Sequence, residues 1–306
     1  MKLLVIGGSG HVSGALARTA LAKGHEVWTV TRGIRPLPEG ARGLVADRDD
    51  EAAFAQAVQG AGVEWDMATD CICYKPDSMR RAVAALRGLA KRLVLVSTDF
   101  VYDPAARKFP QPEEAERYSP GGPGSLEYGR NKRLCELALA EGAGDMDWAV
   151  VRPCHIYGPP SLLGCLPDHG RDKQLLERLR AGEALRLVGG GHFLQQPILA
   201  TDLAEMMLSI ADSPRASRRC FNAAGPDIVE SREYYRIVAE ALGVGLKIEE
   251  VPVQEYLASH PERAPFMCHR IYDLSAAREC GLRLPATPLE LGLRAHTRAL
   301  LAQEAG

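Results

Sequence analysis

Lys2-Leu3-Leu4-Val5-Ile6-Gly7-Gly8-Ser9-Gly10-His11-Val12-Ser13-Gly14 runs from an apolar segment straight into a cluster of glycines. Leu3 to Ile6 form an unbroken apolar run, the signature of a strand buried on both faces. The residues from His11 to Ala22 then read as a helix. Strand, glycine turn and helix in that order are the context in which a dinucleotide-binding fingerprint has meaning. Glycines let the backbone turn tightly and approach a pyrophosphate, whose charge is met by free N–H groups at the helix N-terminus. Gly7, Gly10, His11 and Val12 are therefore candidate cofactor-binding residues. Where a third glycine usually lets helix and strand pack closely, this chain has Ser13, a residue small enough to be tolerated.

Working outward, Glu26–Thr31 reads as a second strand, Gly43–Ala46 as a short third strand ending at Asp47, and Asp50–Gln59 as a helix capped by aspartate. Met67–Ile72 reads as a fourth strand, Asp77–Leu89 as a helix and Arg92–Ser97 as a fifth strand. The proline-rich stretch 103–124 interrupts the alternation, and an irregular insert of that length is usually functional. Ser125 is expected to cap a helix running to Glu141, and Trp148–Arg152 to form another buried strand. The alternation predicts an α/β fold: a doubly wound parallel, Rossmann-type sheet with right-handed crossovers. The dinucleotide-binding domain is expected over 1–152. A smaller substrate lobe is expected over 153–306, with some segments returning to the sheet, helices at Asp202–Ala211, Ser231–Leu242 and Pro288–Gln303, and a strand at Lys247–Val251.

Composition excludes several classes. The 306 residues carry a formal net charge of -2, which disfavours a nucleic-acid partner. No apolar run approaches the ~20 residues that span a bilayer, and the first strand begins too early for a signal peptide. The expected location is cytoplasmic, with no membrane partner. The eight cysteines are scattered without a Cys-x-x-Cys pair, so buried free thiols are expected. His155, His169 and His192 are likewise scattered, and no metal site is expected.

Tyr128 and Lys132 stand four apart on the helix from Ser125 and so share one face. An ammonium near a phenol favours the phenolate, and such a phenol exchanges a proton with an alcohol or ketone as hydride moves. At the end of the second strand, where NAD-binding members of this fold carry an acidic residue for the ribose 2′-hydroxyl, stand Thr31 and Arg32. An uncharged residue followed by a planar fork of donors suits a 2′-phosphate, so NADP is the expected cofactor, with NAD the alternative.

Four stretches together resemble the extended short-chain dehydrogenase/reductase family, in its NAD(P)-dependent epimerase/dehydratase branch: Gly7–Ser13, Ser97-Thr98-Asp99-Phe100-Val101-Tyr102, Tyr128-Gly129-Arg130-Asn131-Lys132, and Arg152-Pro153-Cys154-His155-Ile156-Tyr157-Gly158-Pro159. The resemblance implies Tyr128 as acid/base and Lys132 as the residue that bonds the nicotinamide ribose while tuning Tyr128. It implies Thr98 as the holder of the substrate oxygen, with Asp47 and Arg48 bordering the adenine. Arg152 opens the crossing into the lobe, with a structural and a functional role equally open.

Two departures bear on substrate. Dehydratases of this branch follow the Thr-Asp pair with a glutamate base, whereas Phe100 cannot move a proton. Nucleotide-sugar enzymes usually carry an arginine for the diphosphate where this chain has Gln195 or Gln196, with Arg186 or Arg270 as substitutes. Asp99, His155, Gln195 and Arg270 are the candidate substrate-binding residues. The expected function is epimerisation or reduction at a hydroxyl or ketone of a sugar or sugar-nucleotide-like substrate. The alternative is a non-catalytic, dinucleotide-bound binding protein, RNA-associated or regulatory. A homodimer through the helices after Asp77 and Ser125 is also implied by the resemblance.

Overall fold

The computed structural model describes residues 1–122, 124–167 and 170–304, so Pro123 and His169 lie outside the described residues. The first half is β1 (Lys2–Ile6), α1 (His11–Ala22), β2 (Glu26–Thr31), β3 (Arg42–Val45), α2 (Glu51–Gly60), β4 (Met67–Asp70), α3 (Pro76–Leu86), β5 (Arg92–Val96), α4 (Ser125–Gly142) and β6 (Asp147–Pro153). The remainder is β7 (Ile156–Tyr157), α5 (Leu175–Arg180), β8 (Ala184–Val188), β9 (Leu194–Gln195), β10 (Ile198–Leu199), α6 (Ala200–Ile210), β11 (Arg219–Ala223), β12 (Val229–Glu230), α7 (Ser231–Ala241), β13 (Lys247–Val251), α8 (Val253–Ser259), α9 (Ser275–Glu279) and α10 (Leu289–Glu304).

Seven strands form one parallel sheet in the order β3-β2-β1-β4-β5-β6-β11. Alternation along β1 sends Leu3 and Val5 to a core shared with α1 and α6, and Leu4 and Ile6 to a core shared with α2, α3 and α4. Both faces are thus covered, which is why these strands are apolar without a break. The strand order reverses between β1 and β4, and ligands of open α/β sheets bind outside the strand ends at such a point. There Ile6 pairs with Val30 on one side and Asp70 on the other, bringing the ends of β2 and β4 alongside the glycine turn.

Beyond Pro153 the chain divides its residues. β11 completes the sheet and α6 packs on α1, while Leu175, Leu179, Leu185, Tyr234, Tyr235, Val238 and Leu293 build a separate core. The insert after Tyr102 is zipped to the C-terminal part: Gln111 N donates to Ile271 O at 2.8 Å and Asp273 N to Gln111 O at 2.9 Å.

Several boundaries differ from expectation for local reasons. β4 stops at Asp70 because the Asp70 carboxylate takes the Ile72 N–H at 3.1 Å and turns the chain out of the ladder. α3 ends at Leu86 because Arg87 leaves helical geometry at ψ 125°. Asp50 caps α2 as expected, accepting from Ala53 N at 3.0 Å. Ser125 does not cap α4: it is the first helical residue, and Gly124 occupies the cap position with no side-chain bond. Among the described residues, no helix is long and apolar enough to cross a membrane.

Candidate active site

β1 delivers the chain into Gly7 and Gly8, at φ +110° and +127°, a region L side chains rarely adopt. A Cβ on Gly8 would stand 2.6 Å from the Thr29 side chain. Gly10 then caps α1, its N–H donating to the Ser13 hydroxyl at 3.1 Å. Ser13 is therefore buried in the place of the third glycine and bonds the turn itself. The first turn of α1 holds no acidic residue, leaving its N–H groups and helix dipole to favour an anion. This cradle, which side chains would fill, fits a pyrophosphate.

Two clefts meet at Gly10, Ser13, Ile72 and Tyr74. The one over the ends of β2 and β3 has a volume of about 460 Å³ and is lined by Thr31, Arg32, Arg35, Asp47 and Arg48. Arg32 and Arg35 are exposed there, and the Thr31 hydroxyl accepts from Gly33 N at 3.2 Å. Arg48 differs from its neighbours: its guanidinium binds both oxygens of buried Asp70 at 2.7 Å and donates to Ser78 O at 2.8 Å. Arg48 shapes this wall through β4 and α3, with both terminal nitrogens bound to protein and its Nε buried without a partner.

The second cleft, about 490 Å³, brings together His11, Val12, Thr98, Asp99, Tyr128, Lys132, His155 and Arg270. α4 reaches it because Gly129 has no side chain: a Cβ there would collide with the Phe100 carbonyl. That approach sets Tyr128 beside Thr98, whose hydroxyl favours the ionised phenol. One turn further, Lys132 is 1 % exposed; its ammonium donates to the carbonyls of Cys73, at 2.8 Å, and Val96. The same ammonium lies 5.4 Å from the centre of the Tyr74 ring. Burial lowers the Lys132 pKa, with nearby acidic groups opposing.

The Tyr128 phenol does not follow the expectation of a lowered pKa. Tyr128 is 37 % exposed, so its burial in the cleft is partial; that burial and then the facing Tyr74 raise the phenol to about 12, while Thr98 opposes. The physical reason is direction: two of the three Lys132 N–H donors go to main-chain carbonyls, and none to the phenol.

On the opposite side, Asp99 is buried in a cluster that sequence reasoning only half anticipated. Its carboxylate accepts from Arg270 and the Tyr272 hydroxyl, with Arg107 at 3.6 Å. Burial would raise its pKa, but Arg270 and then Arg107 outweigh that and hold it low. Arg270 stacks on Phe100, 4.3 Å from guanidinium carbon to ring centre, and its Nε and Nη1 have no partner. His155 lines the same cleft, its pKa brought down to about 3 by burial and then by Arg171 and Arg270. Gln195 does not line it. It lies fully buried in β9, bridged to the Arg270 backbone, with neither amide atom partnered.

Sequence reasoning missed Arg107, Arg171, Tyr74, Phe266 and Tyr272. The last lies two residues from Arg270 in Arg270-Ile271-Tyr272, an alternation that puts both side chains on one side. Arg107 and Arg171 come from irregular segments and carry no comparable signal. Among the described residues, no group of His, Cys, Asp and Glu could hold a metal ion.

The family model described as NAD dependent epimerase/dehydratase matches residues 3–224, from β1 through β11. The chain belongs to this family. It is 27% identical to a 2'-dehydrokanamycin reductase of Streptomyces kanamyceticus, over 90% of this chain and 77% of that protein. It is 24% identical to chloroplast stem-loop binding protein of 41 kDa b of Arabidopsis thaliana, over 79% of this chain and 63% of that protein, which is under two thirds of its length. The fold matches that of a UDP-glucose 4-epimerase from Thermotoga maritima with a TM-score of 0.79 at 19% identity, covering 99% of this chain and 100% of the other. This epimerase/dehydratase family member is an NAD(P)-dependent epimerase/reductase with a nicotinamide dinucleotide as its cofactor.

Proposed function

We propose that the enzyme reduces a ketone on a sugar-like substrate, with NADP(H) as the hydride carrier. The observation that carries this reading is the single cleft that gathers Thr98, Tyr128 and, one turn along α4, Lys132, and that also opens onto the N-terminus of α1. When bound, the nicotinamide supplies the hydride. The chain's own residues do the rest. Thr98 orients the carbonyl oxygen and Tyr128 gives it a proton. A phenol raised to about 12 is fully protonated at neutral pH, which suits an acid in reduction. Lys132, buried and anchored by Cys73 and Val96, is the donor available to the nicotinamide ribose. Gly7, Gly10, His11 and Val12 receive the pyrophosphate, and Thr31, Arg32 and Asp47 border the adenosine half.

Arg270 lines the cleft, and its Nε and Nη1, which have no protein partner, are the donors left for an oxygen or anionic group of the substrate. Asp99 holds that arginine in place, and His155 adds a neutral imidazole beside it. Phe100 leaves no base for dehydration at that position. A homodimer through α3 and α4 is supported by Leu134 and Leu137, which are exposed on α4. The RNA-associated alternative has only the stem-loop binding relative in its favour, against a net charge of -2.

The test is NADPH oxidation across a panel of keto sugars and keto sugar nucleotides, with RNA filter binding run in parallel. Turnover with any of them, lost in Tyr128→Phe, is expected. Tight RNA binding with no dinucleotide affinity would overturn the reading.

A further inference from the structure

Cys73 and Cys135 are 62 residues apart in sequence, yet their sulfurs lie 3.6 Å apart, both fully buried between α4 and the sheet. Each is tied to Lys132. The carbonyl of Cys73 is one of the two acceptors that hold the Lys132 ammonium, and Cys135 follows Lys132 by three residues on α4. Cys73 sits in the segment 71–75, between the end of β4 and the start of α3, outside the strand ladder. Its thiol also reaches the Lys75 carbonyl at 3.5 Å. A disulfide needs its sulfurs at about 2.05 Å, so the pair must close by about 1.5 Å. Cys135 is fixed in the middle of a packed helix, so the segment carrying Cys73 is the part that yields.

We propose that Cys73 and Cys135 form an oxidative modification site, at which hydrogen peroxide produces a disulfide that draws the Cys73 carbonyl off Lys132 and weakens dinucleotide binding. Of the pair, Cys135 is the more acidic thiol. The hydrogen bond from Cys73 lowers its pKa, burial opposes, and the Lys132 ammonium adds to the lowering. Cys135 thiolate attacks one peroxide oxygen: an S–O bond forms, the O–O bond breaks, and the departing hydroxide takes up a proton as water. The Cys73 sulfur then attacks the sulfenic sulfur, forming S–S and breaking S–O, and a second water leaves. Each sulfur gives one electron and the peroxide gains two. Cys71, which lines the active-site cleft, is raised far above the usual thiol range by burial and Asp70, and Cys73 is raised too, by its hydrogen bond to Cys135 and by burial, so Cys135 is the thiol that meets peroxide first.

The effect on binding rests on the proposed role of Lys132, whereas the disulfide itself does not, so the experiment reads them separately. Full-length protein is treated with hydrogen peroxide and then mapped by non-reducing peptide mass spectrometry. Labelling of Lys132 by acetic anhydride is measured alongside, as is the NADP dissociation constant by calorimetry. Expected are a Cys73–Cys135 linked peptide, a tenfold or greater rise in Lys132 labelling, a tenfold or greater loss of NADP affinity, and reversal of all three by dithiothreitol. Cys135→Ala should keep its NADP affinity under the same treatment. A map without this link, at a dose that oxidises the methionines, would overturn the proposal. So would a quantitative link with Lys132 labelling unchanged. Untreated protein that binds no dinucleotide would refute the functional reading instead, and the map and labelling still judge the disulfide without any variant.

Discussion

Arg152 and Glu136 meet in a buried bidentate ion pair, Nε to Oε1 at 2.9 Å and Nη2 to Oε2 at 2.7 Å. The pair joins the end of β6 to α4, and Glu136 lies one turn beyond Lys132. Ser97 Oγ, at 2.6 Å, and Arg133, at 2.7 Å, complete the carboxylate's partners, while Arg152 also donates to the Glu113 carbonyl at 2.7 Å. Burial works against the Glu136 charge, but Arg152 outweighs it and keeps the pKa low. The sequence left Arg152 open between structure and function. Its contacts make it a fastener that sets where α4 presents Tyr128 and Lys132.

Glu136→Ala leaves the Arg152 guanidinium buried without its counter-charge. Removing one partner of a buried pair costs roughly 3–5 kcal/mol, because an uncompensated charge stays behind. Urea unfolding should show a lower midpoint with an unchanged slope. A loss below 1 kcal/mol would mean that water reaches Arg152.

Tyr128→Phe should reduce turnover by ~10²–10⁴, the usual worth of a positioned general acid, while the NADP dissociation constant stays within about twofold of wild type. Reduction needs the phenol protonated, so activity is present below its pKa and lost above it. With that pKa raised to about 12 in this structure, the rate of reduction should be flat from neutral pH to pH ~9. Steady-state rates across that range check both points, and a mutant retaining more than half of wild-type turnover would end the assignment.

Lys132→Met should weaken turnover and NADP affinity together, since the ammonium is proposed to serve ribose as well as the site's electrostatics. Burial without a charge also relieves the desolvation that lowers its pKa, so the variant should fold. Titration calorimetry showing unchanged affinity would remove the ribose contact from the proposal.

How much of this was legible varies with the range of the interaction. Buried parallel strands announce themselves as apolar runs, so β1, β2, β5 and β6 were visible as sequence. Tyr128 and Lys132 were visible because helical spacing alone puts them on one face. The two-residue strands β7, β9, β10 and β12 carry no periodicity, and only tertiary pairing defines them. Arg48 read as a cofactor residue because its capture by Asp70 spans 22 positions, beyond any local pattern. Arg107 is only eight positions from Asp99, but it lies in irregular chain with no periodicity to signal the contact. Ser125 looked like a cap because serine usually is one; the backbone chose Gly124 one residue earlier.

Stability should fall as pH drops from 6.5 toward 4. His11 and His155 are brought down to about 4 and about 3, by burial first and Arg171 next. In that window the unfolded chain binds protons that the folded one refuses, so the unfolded state gains as pH falls. His25 and His296 shift in the same direction. Asp99 and Glu136, both held low, lose their contribution only as pH falls further, below the ordinary carboxylate range. Melting temperatures at pH 7 and pH 5 measure the slope, and His155→Gln should flatten it. An unchanged slope would mean that His155 stays solvated.

The choice between NADP and NAD turns on the end of β2. Thr31 stands there, 31 − 13 = 18 residues beyond Ser13, in the place where an acidic residue would accept the ribose 2′-hydroxyl. Its hydroxyl already accepts from Gly33 N and carries no charge to repel a phosphate. Arg32 and Arg35 both line this cleft and both are exposed, whereas Arg48 is held by Asp70. Two exposed guanidinium groups therefore remain for a 2′-phosphate, with Asp47 lining the same cleft as the opposing charge. A charge-assisted contact of this kind contributes roughly 1.5–3 kcal/mol, enough for tenfold discrimination or more. Dissociation constants for NADP and NAD should favour NADP in the wild type. Arg32→Ala should weaken NADP about tenfold or more and leave NAD nearly unchanged, because only NADP carries the phosphate. If Arg32 instead stacks on the adenine, both affinities fall together and the ratio holds. Equal affinities in the wild type, or tighter NAD, would sink the NADP assignment.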